Sequence, residues 1–189
     1  MRKSRDEAAK TRERIVSAAA SEFRRNGIVA TGLSDLMAAA GLTHGGFYKH
    51  FESKDEIVAE ATTAAMEDLL ERMAAHPTKS AAVAAYLSTR HRDNPASGCP
   101  LAAIGSELSR SDEKTREAGT AGFVRLVDIL AGKAGSVAAR RRALVAAATM
   151  IGAMTMSRMV TDPELSAKIL REAEKSLTAS GRQGDVDLN

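Results

Sequence analysis

Tryptophan is absent from this chain of 189 residues, and aromatic side chains together make up only 3% of it. A core must therefore be assembled from Ala, Leu, Val, Ile and Met, an alphabet weighted towards helix formers. The single cysteine, Cys99, excludes an internal disulfide and suits a reducing compartment. No stretch approaches the roughly 18 consecutive apolar residues of a membrane span, and Met1-Arg2-Lys3-Ser4-Arg5-Asp6-Glu7 leads into no apolar leader. The expectation is a cytoplasmic protein with no membrane partner. Signatures of catalysis are missing as well: there is no nucleophile elbow, phosphate loop or dinucleotide fingerprint. His44 and His50 stand six apart, beyond one helical turn, and His76 and His91 have no neighbouring Cys or Asp in a ligand pattern. No catalytic residue, metal ligand or cofactor is assigned.

What is present is unevenly charged. Residues 1–54 hold ten Lys and Arg against six acids, whereas the remainder holds 17 against 18. A basic N-terminal quarter on a nearly neutral body is the electrostatic pattern of a nucleic-acid module joined to something else.

Apolar residues Ile15, Val16, Ala19 and Phe23 recur at spacings of three and four, predicting an amphipathic helix over about 7–26 that Asn26-Gly27 ends. Thr31 is a good N-cap for a short helix over 33–40, stopped by Gly41, and a third helix is expected over about 43–50. Three short helices with a glycine-containing turn before the last match a helix-turn-helix, with the motif at about 32–51. Gly45 and Gly46 cost roughly 1 kcal/mol each against Ala in so short an element, which points to close backbone approach, as when a helix end enters a major groove. Tyr48 and His50 can donate to phosphate oxygens, and Lys49 adds a cation. Lys54 has the wrong sign for the first turn of the helix that follows, a placement that makes sense beside a phosphate. Leu42, Phe47 and Phe51 are read as core. Ser53-Lys54-Asp55-Glu56 is a capping box, with Ser53 accepting from the Glu56 N–H and the Glu56 side chain reaching back to the Ser53 N–H. The helix it opens carries Ile57, Val58, Ala61, Ala65, Leu69 and Met73 inward and stops at His76-Pro77.

Beyond this point the pattern is helix after helix with no strand alternation. Helices are expected over about 78–92, from Pro100 to about 110, after a cap within Ser111-Asp112-Glu113-Lys114, over about 136–160, and from Asp162-Pro163-Glu164 onward. The polar segment 181–189 is expected to be a disordered tail. The resulting organisation is all-α: an N-terminal three-helix helix-turn-helix domain over 8–54, then a helical bundle over 55–180.

Arg14-Ile15 through Phe23, Thr31, Gly41-Leu42-Thr43 and above all Phe47-Tyr48-Lys49-His50-Phe51-Glu52-Ser53-Lys54 resemble the DNA-binding domain of the TetR family of bacterial regulators. The resemblance implies that Thr31, Thr43, Tyr48, His50 and Lys54 grip the DNA backbone, while His44, Gly45 and Gly46 fall where bases are read and Lys49 lies beside them. Gly32 departs from the many members that carry a longer side chain there. The resemblance further implies a double-stranded DNA operator, a homodimer, a body that binds ligand and forms the dimer, and an unknown small-molecule inducer.

Spacing marks two stripes for the dimer contact: Leu144, Ala148, Ile151, Gly152, Thr155 and Met159 on one terminal helix, and Leu165, Ile169, Ala173 and Leu177 on the other. The same stripes suit the chain's own core. A ligand pocket, implied by the family, would lie among Met66, Leu69, Met73 and Leu87, with Leu101, Ile104 and Leu108, and Phe123 and Leu126 completing it; such residues serve as core just as well. Cys99, ahead of Pro100 at a helix start, is open to two readings, a thiol sensor favoured by the helix dipole or a small buried hydrophobe. The expected function is a repressor released from a palindromic operator by a small-molecule or thiol-reactive inducer. The alternative is a helical ligand-binding protein or enzyme with a vestigial DNA-binding module.

Overall fold

A computed structural model of the protein describes residues 2–132 and 135–182, and every regular element among the described residues is helical. The expected all-α class is what the chain adopts.

Helix α1 (Arg2–Asn26) ends where Gly27 takes a φ of 88° and closes its N–H on the Phe23 carbonyl at 2.9 Å. Helix α2 (Leu33–Ala39) starts at the expected residue, but not on the expected threonine cap. Gly32 is its N-cap, because Thr31 is buried with its hydroxyl donating back to the Gly27 carbonyl at 2.7 Å. The next element, His44–Lys49, is a 3₁₀ turn rather than an α-helix; adjacent glycines and a length of two turns leave little to hold the wider α geometry. Helix α3 (Lys54–Ala74) is capped by Ser53 Oγ, which accepts from the Glu56 N–H at 3.1 Å. The reciprocal bond goes one residue further back than a capping box would place it: the Glu56 carboxylate accepts from the Glu52 N–H at 2.7 Å.

The single helix expected over 78–92 is two, α4 (Lys79–Tyr86) and α5 (Thr89–Asp93). Ser88 separates them, donating to the Ala85 carbonyl at 2.8 Å and accepting from the His91 N–H at 3.2 Å, the side-chain competition that makes serine a cap rather than a helix former. Helix α6 (Pro100–Leu108) is interrupted at Ile104, whose φ of −129° is not helical. Helices α7 (Glu113–Ala131), α8 (Val137–Met159) and α9 (Pro163–Arg182) open on side-chain caps from Asp112, Ser136 and Asp162. Helix α9 takes in the first residues of the expected tail; residues 183–189 lie outside the described residues.

Contacts divide the chain into two units, and not at the boundary expected near residue 54. The first comprises residues up to Asp68 together with Cys99–Gly122; the second comprises Leu69–Gly98 together with residues from Phe123 onward. The first unit is built on Ile15, Phe23, Leu36, Phe47, Phe51 and Ile57, all fully buried or nearly so, and Ile104 and Leu108 of α6 belong to the same cluster. In the second unit α8 packs along α9, with Ala143, Ala147, Met150 and Met154 on the buried side of α8 and Leu170 on that of α9. Polar links reinforce it. Arg158 donates to the carbonyls of Arg92 and His91 at 3.1 and 2.9 Å, and Arg92 donates to Ser166 Oγ at 2.9 Å.

Candidate nucleic-acid interface

Gly41, at a φ of 68°, lets the chain leave α2 abruptly, with the Leu42 N–H bonded to the Met37 carbonyl at 2.8 Å. Arg14 on α1 donates to the Ala40 carbonyl at 2.7 Å and so fixes that end of α2. The 3₁₀ turn is then held by one side chain. Phe47 is fully buried, stacked on Phe51 at 5.4 Å between centroids and meeting Tyr48 edge to face at 5.3 Å. With Phe47 pulled inward, its neighbours point out: Tyr48 is 65% exposed, and Thr43, His44, Gly45 and Lys49 are exposed as well. His50 and Gly46 are half-buried. A methyl added at Gly45 would meet nothing, whereas one at Gly46 would lie 3.4 Å from Met37 Cε. The outer surface of this turn thus carries hydroxyl, imidazole and ammonium groups over an open backbone.

Two of the nine residues expected on this surface have different work. Thr31 is buried and its hydroxyl is spent on the Gly27 carbonyl. Lys54 Nζ donates to the carbonyls of Ile28 and Thr31 at 2.6 and 2.7 Å. The α1–α2 turn leaves those carbonyls without helical partners, and the ammonium satisfies them. A sign that looked wrong for a helix start is thus explained by an internal bond, with no phosphate required.

Sequence reasoning missed the residue that ties the site together. Arg12 on α1 lies 4.3 Å over the Phe51 ring, donates to the His50 carbonyl at 3.3 Å, and pairs with Glu56 at 2.8 Å and with Glu60 of α3. The hydrogen bonds it donates to Glu60 above all, and the charges of Glu60 and Glu56, hold its guanidinium pKa above the ordinary value. The available signal was Glu56 and Glu60, two acids one turn apart on α3 with no cation of their own. Glu107 on α6 was missed too: its carboxylate accepts from the Val29 N–H at 2.9 Å, inside the same α1–α2 turn.

The expected pocket residues are divided between the two units. Ile104 and Leu108, with half-buried Leu101 against them, belong to the N-terminal core cluster, and Met66 packs on Gly122 in the first unit. Ile104 and Leu108 are core, sharing that cluster with residues of α1 and the helix-turn-helix. In the second unit Leu87 and Leu126 are buried and Phe123 is half-buried. Leu69 and Met73 line a cleft of about 420 Å³. Cys99 is fully buried at the N-cap of α6, the environment of the hydrophobe reading. On α8 the expected stripe faces outward: Leu144 and Met159 are 49% and 65% exposed, and Ala148 and Gly152 are exposed. Ile151 and Thr155 are half-buried, as are Ile169, Ala173 and Leu177 of α9, while Leu165 is 44% exposed. The chain's own core takes the neighbouring stripe, Ala143, Ala147, Met150 and Met154. Val145 and Met156 extend the exposed apolar face and were not anticipated.

Residues 15–61 match the family described as bacterial regulatory proteins, tetR family. The HTH-type transcriptional regulator TtgR of Pseudomonas putida is 40% identical over 58 residues, which are 31% of this chain and 28% of that protein. The chain therefore matches little more than a quarter of the length of this curated relative. Along nearly the whole length, the fold is shared with a TetR transcriptional regulator from Chloroflexus aurantiacus, with a TM-score of 0.67, 27% identity and coverage of 95% of this chain and 96% of that one. Reduced NemR of E. coli shares the fold at a TM-score of 0.73 and 20% identity, over 89% of this chain and 95% of that one. Residues 15–61 are thus similar in sequence to the tetR family of bacterial regulatory proteins, and the helical order along the chain is that of the Chloroflexus regulator.

Proposed function

We propose that the protein is a homodimeric transcriptional repressor that reads a palindromic DNA operator through the 3₁₀ turn and is released by a small molecule bound in its second unit. The observation that carries this reading is the outward set Thr43, His44, Tyr48 and Lys49, presented by a turn whose only buried side chain is Phe47. Hydroxyl and ammonium groups suit phosphate oxygens, and His44 with the open backbone at Gly45 suits approach to base edges. His50 remains at the margin of this surface. Thr31 and Lys54 act behind it, shaping the α1–α2 turn.

The exposed apolar face of α8 and α9 supports pairing of two chains about a twofold axis, which would present two readers to two half-sites. A small molecule is favoured over a thiol reagent as the releasing signal because Cys99 is fully buried.

The test is fluorescence anisotropy on a labelled duplex taken from the DNA adjoining the protein's own gene. Binding should weaken steeply between 50 and 200 mM salt, as counterion release requires. Lys49→Ala should lower the slope of log K against log salt by about one, and Tyr48→Phe should cost about 0.5–1.5 kcal/mol for one lost hydrogen bond. Salt-insensitive binding, or wild-type slope and affinity in both variants, would refute the assignment of this surface.

A further inference from the structure

We infer that the cleft lined by the C-terminal end of α3 with α4 and α5 is a binding site for a small organic anion with an apolar body, a carboxylate or sulfonate amphiphile. The cleft holds about 420 Å³ and lies wholly within the second unit, a size ordinary for small-molecule sites. Its floor is apolar, with Leu69, Met73 and Tyr86 all buried. Its rim is basic, with Arg72, His76 and Arg90 lining it and no carboxylate among the lining residues.

Two of the three rim residues, Arg90 and His76, stand apart from the ion-paired arginines of the protein. Arg12, Arg92 and Arg140 each pair with an acid. Among the described residues no acid pairs with Arg90 and none with His76. Arg72 is held in place by donating to the Ser97 carbonyl at 2.7 Å, which spans the cleft's edge. One wall is stiffened in the same way: His91 Nδ1 lies 2.6 Å from the Tyr86 carbonyl, and its ring meets the Tyr86 ring edge to face at 4.6 Å. A wall with both rings fixed is a preformed one. An anionic head between Arg72 and Arg90 gains charge-assisted hydrogen bonds while its body covers Leu69 and Met73; a cationic amphiphile of the same shape meets like charge. The link from occupancy to DNA release rests on the function proposed above; occupancy itself does not.

The experiment titrates the full-length protein with 8-anilinonaphthalene-1-sulfonate and with N-phenyl-1-naphthylamine, the same body without the sulfonate, and reads fluorescence. The anion should bind about tenfold more tightly than the neutral dye, a difference ordinary for one charged hydrogen-bonded head. Arg72→Ala/Arg90→Ala should remove that difference and leave the neutral dye's Kd unchanged. Ala85→Trp, which fills the cleft, should weaken both dyes, and Arg110→Ala, an exposed charge of the other unit, should affect neither. Equal affinity for the two dyes overturns the inference. So does a loss of anion binding in Arg110→Ala matching that of the double variant, or full binding of both dyes by an Ala85→Trp protein of normal helicity. Operator anisotropy on the same samples separates the two claims. Dye binding that follows these rules in a protein without salt-dependent DNA binding keeps the anion site and sinks the repressor; DNA binding with dyes that do not discriminate does the reverse.

Discussion

Replacing Arg12 by alanine is expected to destabilise the protein by about 2 kcal/mol, and the structure says where that comes from. Its side chain is about one-third exposed, so each ion pair, with Glu56 and with Glu60, is worth roughly 0.2–1 kcal/mol rather than the larger value of a buried pair. The guanidinium over Phe51 at 4.3 Å adds about 0.5–1 kcal/mol. Truncation also leaves Glu56 and Glu60 facing each other one turn apart, a repulsion of roughly 0.2–0.5 kcal/mol. For a chain of this length about 2 kcal/mol corresponds to a fall in Tm of roughly 4–8 °C. Circular dichroism melts at low and at 1 M salt measure it, and the loss should shrink in high salt because much of it is screened. A double-mutant cycle with Glu60→Gln isolates the pair and should return a coupling of about 0.5 kcal/mol or more. A Tm within 1 °C of wild type, or strict additivity in the cycle, would refute the claim that Arg12 clamps the end of the 3₁₀ turn to α1 and α3.

Lys54→Met should lower stability by about 1.5–3 kcal/mol, since two carbonyls of the α1–α2 turn lose a charged donor, while the salt slope of DNA binding measured in the folded range stays at the wild-type value; a slope lower by one would return Lys54 to the phosphate surface. Hydrogen bonds from Thr115 hold the Asp112 carboxyl below the ordinary carboxylate range, so the stability it gives α7 is present above its unfolded pKa of about 3.9 and is lost as pH falls through the lower folded value. Urea unfolding of wild type and Asp112→Ala between pH 3 and 7 should therefore show a gap that is constant above about pH 4 and narrows below it; a constant gap at all pH values would count against the cap. Met159→Glu together with Leu165→Glu should convert a dimer to a monomer in analytical ultracentrifugation with helicity retained, because both side chains are exposed in the single chain; an unchanged mass would remove α8 and α9 from the interface.

Much of the helix-turn-helix was legible because its informative residues are apolar and local. Phe47 and Phe51 stand four apart among polar neighbours, so their burial, and with it the outward direction of Tyr48 and Lys49, follows from spacing alone. Thr31 and Lys54 were not legible. A hydroxyl or an ammonium bonds a phosphate or a backbone carbonyl equally well, and the sequence does not say that the α1–α2 turn leaves the carbonyls of Gly27, Ile28 and Thr31 aimed at them. Ile104 and Leu108 illustrate a different gap: periodicity reveals that a face is buried but not against what, and these two lie in the core of a unit that begins nearly a hundred residues earlier. On α8 the outward stripe Leu144, Ala148 and Met159 and the inward stripe Ala143, Ala147 and Met154 are both apolar although they lie about 100° apart around the helix axis, so no pattern in the helix alone separates partner from core.

The α1–α2 turn is gripped from two helices of the first unit, and this bears on how release could work. Lys54 at the start of α3 holds the carbonyls of Ile28 and Thr31, and Glu107 near the end of α6 holds the Val29 N–H, with its carboxylate so close to Gly27 that an added methyl would lie 2.9 Å from Oε1. A tilt of α3 alone would strain the Glu107 bond, and a shift of α6 would disturb Ile104 and Leu108 in a close-packed core that does not deform continuously. Along the chain, Ser97, whose carbonyl Arg72 holds at the rim of the basic cleft, precedes the first residue of α6 by three positions. Moving a two-state protein from 1:99 to 99:1 takes about 5.5 kcal/mol of differential ligand affinity. Charged hydrogen bonds such as those of Glu107 and Lys54 are worth about 1.5–3 kcal/mol each, so these three bonds store energy of the size a ligand can redirect. On the function proposed here, the turn at residues 27–31 is therefore the element that α3 and α6 jointly set, and Glu107→Gln, which keeps the shape and weakens one grip, should loosen DNA binding without touching any residue on the DNA-facing surface.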